Sequence, residues 1–474
     1  MKRNVIVFLT DEQRHDVMGK YGNPVGLTPN FDAFAEEGTL CRQAFSPQPI
    51  CTPARACLQT GSYATRNGCY LLGIPLCNRP NVSLADHFNA AGYRTGYIGK
   101  WHLADQDIVP ENQRGGYRDW LGSNLLEYSA DAYDLVMYDG EGRPARIPGY
   151  RVDGVTDCAI RYIDQNKDEP FFLFISLLEP HCQNHSFSYS APKDTENMYQ
   201  GKWMPPDLAA LGGTSARHMA GYMAVVKRID EAFGRVMDAL RSLKLYDDTI
   251  VLFTTDHAEH FNTRNSANKM SPHESSIRIP MAFHGGCFST GRVINQLVSL
   301  IDVAPTLLEA AGLPVPEGMD GRSLVPLLTH PEAPWPQEVL VQISQTQVGR
   351  ALRTHKWKYC VQAPDKDPFK DMRSDSYVET ELYDMEYDPY ELQNLMHFSR
   401  FDNVKAELRE RLRAKIAESG EPMPAIIPAQ NEPQPMGILP QMYDPTADRI
   451  RDIGNGRRYG PPPIERLEQN ETVI

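Results

Sequence analysis

"NVIVFLTDEQRHD", residues 4–16, sets an unbroken apolar run directly against an acidic pair, Asp11-Glu12. Lys2 and Arg3 precede it and give it the look of a secretory leader. The run is too short for the ~7–15 apolar residues of a leader and passes straight into acid, so it reads as a first β-strand. An apolar run without polar alternation is the pattern of a strand buried on both faces of a largely parallel sheet. The same texture returns in "PFFLFISLL" at 170–178 and "DTIVLFTT" at 248–255. Between these runs lie "SLADHFNAAG" at 83–92 and "MAGYMAVVKRIDEAFGRVMDALRSL" at 219–243, whose apolar positions follow a helical period. The alternation of strand and helix predicts an α/β sandwich, a large, mostly parallel sheet between helices. No internal repeat is apparent.

Bulk composition narrows the classes further. The chain has 474 residues, enough for a large domain and a smaller one. It is 41% hydrophobic and 23% charged, and no apolar run reaches the ~18 residues of a membrane span. A net charge of -13 argues against nucleic acid as the main partner, because a duplex binder needs a basic surface. It leaves room for an anionic substrate held by a local cluster of cations. Nine cysteines, an odd number without metal-type spacing, speak against a complete disulfide framework. The expected location is cytoplasmic, or periplasmic or secreted where a leader has been trimmed. From about residue 338 the texture becomes that of a small antiparallel sheet packed with one helix. The expected division is therefore an α/β domain over 1–337, an α+β subdomain over 338–420 and a proline-rich tail or arm over 421–474. Such an arm could join copies of the chain into a homo-oligomer.

Each apolar run ends in chemically active residues. The first ends in Asp11-Glu12-Gln13-Arg14, the second in Glu179-Pro180-His181, the third in Asp256-His257, and a further candidate strand, "YRTGYIG" at 93–99, in Lys100-Trp101-His102. Ligand crevices in open α/β sheets lie beyond the carboxyl ends of the strands, so these clusters can converge. Asp11, Glu12 and Asp256 together would repel unless a hard divalent cation neutralised them, and Ca²⁺ or Mg²⁺ suits carboxylates and the Gln13 amide. Any one Asp at a strand end, taken singly, reads first as a helix N-cap, and it is the three together that speak for a cation. Lys100, His102, His181 and Lys269 add cations and proton carriers that would suit hydrolysis of a sulfuryl or phosphoryl ester. In "SPQPICTPARACLQTG" at 46–61, Pro53 suits the first turn of a helix and Gly61 the residue past its end. Cys51 then stands at the positive end of a helix dipole, where a thiolate or other anion is favoured. A buried structural cysteine is the alternative.

Cys51-Thr52-Pro53-Ala54-Arg55 resembles the C-x-P-S/A-R signature of type I sulfatases, of the alkaline phosphatase superfamily, and "GYRTGYIGKWHL" at 92–103 resembles their second signature. The likeness runs in family order through "TPNFDAFAEEGT" at 28–39, "EPHC" at 179–182, "TTDHAEH" at 254–260, "KMSPHESSIRIP" at 269–280 and "ELYDMEYDPYE", covering roughly residues 4–420. The resemblance implies an alkaline-phosphatase-like fold with a smaller C-terminal antiparallel sheet. It implies that Cys51 is converted to formylglycine, whose hydrate is the nucleophile, by a formylglycine-generating or anaerobic sulfatase-maturing enzyme. By position it makes Asp11, Glu12, Asp256, His257 and the modified Cys51 ligands of one divalent cation, Ca²⁺ foremost, with Mg²⁺ or Mn²⁺ as alternatives. Glu12 stands where many relatives have Asp. Arg55, Lys100 and His102 would serve the nucleophile, His181 would be the general acid, and Lys269 would grip the sulfate. Arg114, His185, His260, Arg264 and His273 are loop candidates for contacts with the organic part of the substrate. The implied activity is hydrolysis of a sulfate ester on a saccharide or other sulfated small molecule, with neither nucleic acid nor membrane as partner. A phosphonate monoester or phosphodiester hydrolase and a catalytically silent binder of sulfated ligands are the competing readings.

Overall fold

A computed structural model describes residues 2–76, 83–184 and 186–429 and the backbone of Thr472–Val473. Its large sheet is built from β1 (Asn4–Asp11), β2 (Thr39–Phe45), β3 (Arg94–Lys100), β4 (Asp119–Ser123), β5 (Leu135–Asp139), β6 (Pro144–Ile147), β7 (Phe171–Pro180), β8 (Thr249–Thr255), β9 (Arg278–Ile279), β10 (Met281–His284) and β11 (Arg292–Ser299). The order across the sheet is β11-β2-β10-β8-β1-β7-β3-β4-β5-β6, with β9 beside β2 and Thr472–Val473 beside β6. The central strands β8, β1, β7, β3 and β4 run parallel. Antiparallel pairs flank them, β10 with β8 and β2, and β5 with β4 and β6.

Every residue of β1, β7 and β8 is buried, which accounts for their lack of polar alternation. The two-residue period still sorts them by face. Ile6 and Phe8 enter one core with the helices Arg151–Gln165 and Ser215–Ser242, while Val5, Val7 and Leu9 enter another with the helices Cys51–Thr60 and Leu84–Ala90. Each such side chain contributes about 1.5–3 kcal/mol on burial. Ser83 starts the Leu84–Ala90 helix with a capping box, its hydroxyl accepting from the Asp86 amide at 3.3 Å.

The C-terminal sheet joins β12 (Glu338–Ile343), β13 (Gly349–Thr354), β14 (Trp357–Gln362) and β15 (Ser376–Asp384) in antiparallel succession. The helix Asp402–Glu418 packs on it through Leu408, Leu412 and Ile416. The same cluster contains Cys57, Tyr63 and Ala64, so the small sheet supports the far end of the helix that begins at Cys51. The sheet continues past residue 420. Glu421 is buried against Arg350 at 2.7 Å, and β16 (Ala425–Ile427) adds a parallel strand to β15. The rest of the expected tail or arm, residues 430–471 and 474, lies outside the described residues. Among the described residues no helix is long and apolar enough to cross a membrane.

Candidate active site

Because β8, β1, β7 and β3 are parallel neighbours, their carboxyl ends share one edge of the sheet. Asp11 and Lys100 are the last residues of β1 and β3, His181 follows β7, and Asp256-His257 follows β8. The helix Cys51–Thr60 meets this edge with its first residue, and all ten of its residues are buried. Gly61 ends it at φ 65, the left-handed conformation expected of a glycine cap. Glu12 and His102, neither a glycine, also take left-handed φ values of 66 and 57. Such backbone costs free energy and persists where surrounding structure enforces it, commonly at functional sites. His102 is pinned by its amide donating to the Asn124 carbonyl at 3.0 Å and its carbonyl accepting from Thr52 Oγ1 at 2.7 Å.

Arg55 organises the charges. Its Nη2 lies 2.9 Å from Asp11 Oδ2 and its Nε 2.9 Å from Asp256 Oδ2, while Nη1 donates to the Lys100 carbonyl at 3.0 Å and Ser176 Oγ at 2.8 Å. Lys100 Nζ sits 2.7 Å from Asp11 Oδ2. Burial and Cys51 push the Asp11 carboxyl up, but Lys100, His181 and Arg55 outweigh them and hold it well below the usual carboxylate range. Asp256 goes the other way, raised by burial and by the Asp11 charge.

Cys51 Sγ is the centre of the cluster. It lies 3.2 Å from Lys269 Nζ, 3.3 Å from His257 Nε2, 3.7 Å from Asp11 Oδ1 and 3.9 Å from Lys100 Nζ. Burial would raise its pKa, yet Lys100, Lys269 and His257 bring it well below that of an ordinary thiol. The position favours an anion. His181 Nε2 lies 3.1 Å from Glu12 Oε2 and 2.8 Å from Lys269 Nζ, and its Nδ1 donates to the Cys182 carbonyl at 2.6 Å. Burial, Lys269 and Lys100 depress the His181 pKa, but the negative charges facing it, Glu12 first and then Asp11, outweigh them together, so the net shift is upward.

The residues present fit a hard cation. Donor atoms of Asp11, Cys51, Asp256 and His257 lie within 4.8 Å of one another, as do those of Asp11, Glu12 and His181. Glu12 Oε1, on a residue of the second group, is buried with no hydrogen-bond partner, an oxygen that a cation would satisfy.

A residue that carried no signal in the sequence completes the site. Glu127, on the one-turn helix Leu126–Ser129, places Oε2 3.1 Å from Lys100 Nζ and Oε1 3.3 Å from His102 Nδ1. "NLLEYSA" fits neither sulfatase signature, and only the fold brings it here.

The site opens into a cavity of about 180 Å³, lined by Leu72, Leu125, Tyr128, Phe187, Met270 and several amide side chains besides the charged cluster around Cys51. Arg114, His260, Arg264 and His273, expected to reach substrate, are not among its lining residues. Arg114 donates to the carbonyls of Val109 and Gly140, and Arg264 to those of Tyr390 and Glu391. His260 Nε2 meets the Lys269 carbonyl at 3.1 Å, and His273 lies between Ser271 and Tyr383. All four satisfy buried backbone or side-chain groups and brace the loops instead. His185 lies outside the described residues.

Residues 3–313 match the Sulfatase family model, and residues 267–418 match that of the N-sulphoglucosamine sulphohydrolase C-terminal region. An ulvan-active sulfatase of Formosa agariphila is 30% identical, over 89% of this chain and 82% of that protein. An N-acetylglucosamine-6-O-sulfatase of Bacteroides thetaiotaomicron is 24% identical, over 86% and 85%. The solved structure of the sulfatase YidJ from Bacteroides fragilis superposes with a TM-score of 0.75 at 24% identity, covering 89% of this chain and 97% of that one. With a family match across two-thirds of the chain and a shared fold, the protein belongs to the sulfatases, the type I sulfuric ester hydrolases of the alkaline phosphatase superfamily.

Proposed function

We propose that this sulfatase hydrolyses a sulfate ester on a saccharide, with formylglycine at Cys51 and one divalent cation, Ca²⁺, at Asp11, Glu12, Asp256 and His257. The observation that carries the reading is the convergence of Lys269, Lys100, His257 and Asp11 on Cys51 Sγ, a nucleophile position set between two ammonium groups and two residues fit to hold a metal. The relatives named for ulvan and for N-acetylglucosamine 6-sulfate support a saccharide. When present, the formylglycine hydrate supplies an oxygen nucleophile and the cation offsets charge on the sulfuryl oxygens.

The chain's own residues do the rest. Arg55 holds Asp11 and Asp256 in place through its paired 2.9 Å contacts. Lys269 presents its ammonium group to the sulfate and Lys100 to the nucleophile, so negative charge developing there meets preorganised positive charge. His181 is the proton donor to the leaving oxygen. Its Nδ1–H bond to the Cys182 carbonyl fixes the ring so that Nε2 faces the cleft. His102, which lines the same cleft as Cys51 and is backed by Glu127, removes the proton on the nucleophile side. A maturing enzyme is then a required partner.

Peptide mass spectrometry of active enzyme should find the aldehyde at Cys51, and sulfate release from sulfated sugars should disappear in Cys51→Ala. Faster turnover of a phosphodiester or phosphonate monoester than of any sulfate ester would overturn the reading.

A further inference from the structure

We infer that the cleft selects a sulfated sugar whose organic part is uncharged, so that the ester being cleaved is its only anionic group. The inference rests on the saccharide reading above and narrows it. Among the described residues lining the cleft, Lys269 is the one lysine or arginine, and its ammonium is already shared among Cys51, Glu12 and His181. The lining histidines, His102 and His181, belong to the reaction centre. Among the described residues, no cation therefore remains for a carboxylate or a second sulfate. Arg114 and Arg264, the loop arginines that could have served, donate to backbone carbonyls instead.

The rest of the wall points the same way. Leu72, Leu125 and Met270 offer apolar surface, and Asn184 and Asn268 carry amide side chains suited to hydroxyls. Phe187 lines the mouth with half its surface exposed and a left-handed φ of 46, an aromatic held in a strained loop where a ring face could stack. Asp105 is an exposed carboxylate at the rim, and the whole chain carries -13, so a second anion meets repulsion at long and short range. Burying an anion without a partner is costly. The cavity, about 180 Å³, falls below the ~300–1,000 Å³ of typical small-molecule pockets, which favours one sugar ring over an extended polyanionic chain.

The test uses matured enzyme and matched pairs of hexosamines sulfated at each ring position in turn: the N-acetyl monosulfate against the N-sulfated disulfate. At low ionic strength the monosulfate of the best pair should show kcat/KM at least ~10-fold higher, and the gap should narrow with added sodium chloride as charges are screened. Asp105→Lys should raise the disulfate-to-monosulfate ratio of kcat/KM about five-fold at low salt. A wild-type preference for the disulfates would overturn this inference alone. Turnover of an aryl sulfate with no turnover of any sugar would overturn the saccharide reading and this inference with it.

Discussion

Glu127 Oε2 lies 3.1 Å from Lys100 Nζ, and both side chains are withdrawn from water. The carboxylate's other oxygen faces His102 at 3.3 Å, so one anion steadies a cation and a proton carrier that flank Cys51. Burial pushes the Glu127 pKa up, and Lys100 and His102 bring it below the ordinary value, so the group stays ionised at neutral pH. Removing one partner of a buried ion pair is expensive. Glu127→Ala should cost about 3 kcal/mol of stability by urea titration. Glu127→Gln, which keeps the shape, should fold well yet lose ~10-fold or more in kcat with KM steady, because His102 loses its orienting charge. Unchanged kcat in Glu127→Gln would show that the contact is structural alone.

His181→Ala should separate substrates by leaving group. Sugar hydroxyls are poor leaving groups and need the proton that Nε2 would deliver, so their sulfates should slow ~10²–10⁴-fold. Nitrophenyl sulfate, whose oxyanion departs unaided, should slow far less. Equal losses on both, measured as kcat, would count against His181 as the acid.

A chelator should lower the melting temperature of the wild-type enzyme as well as its activity. A ligand that binds only the folded state stabilises it, by about 2.7 kcal/mol at a hundred-fold excess over its dissociation constant. In Asp256→Ala the donor set loses a carboxylate, so its melting temperature should no longer respond to chelator. A wild-type melting curve that ignores the chelator would contradict the cation assignment. Recovery with Ca²⁺, Mg²⁺ and Mn²⁺ in turn would identify the ion.

His260 should make the protein acid-sensitive. Burial first, then Arg264, pulls its pKa down from 6.5 to about 3, so it is neutral in the folded chain and protonates on unfolding. A depressed histidine contributes stability that is present above about 6.5 and is lost as pH falls toward the folded value. Between those limits the loss is about 1.4 kcal/mol per pH unit. Nε2 faces the Lys269 carbonyl, a contact that a glutamine amide can reproduce. The urea midpoint of wild type should therefore fall from pH 7 to pH 5, and His260→Gln should flatten that fall. Parallel curves for the two proteins would exclude His260 as the source.

The strands and the gathering of charged residues at their ends were legible in the sequence because the physics there is local. A strand buried on both faces must be apolar throughout, as β1, β7 and β8 are, and a parallel sheet gathers the residues after each strand on one edge. Asp11, Lys100, His181 and Asp256 followed from that alone. Cys51 and Arg55 stood four residues apart in one short motif, and a helix turn carries both toward the same charges. The loop residues obeyed no such rule. Arg114, His260, Arg264 and His273 have chemistry fit for a sulfated ligand, yet each is drawn to a partner group elsewhere in the fold that the sequence does not reveal. Glu127 shows the converse, a site residue without any local mark. Its place depends on how the chain beyond β4 returns to the edge of β3, and on the cost of burying Lys100 and His102 without an anion, both of which exist only once the chain has closed on itself.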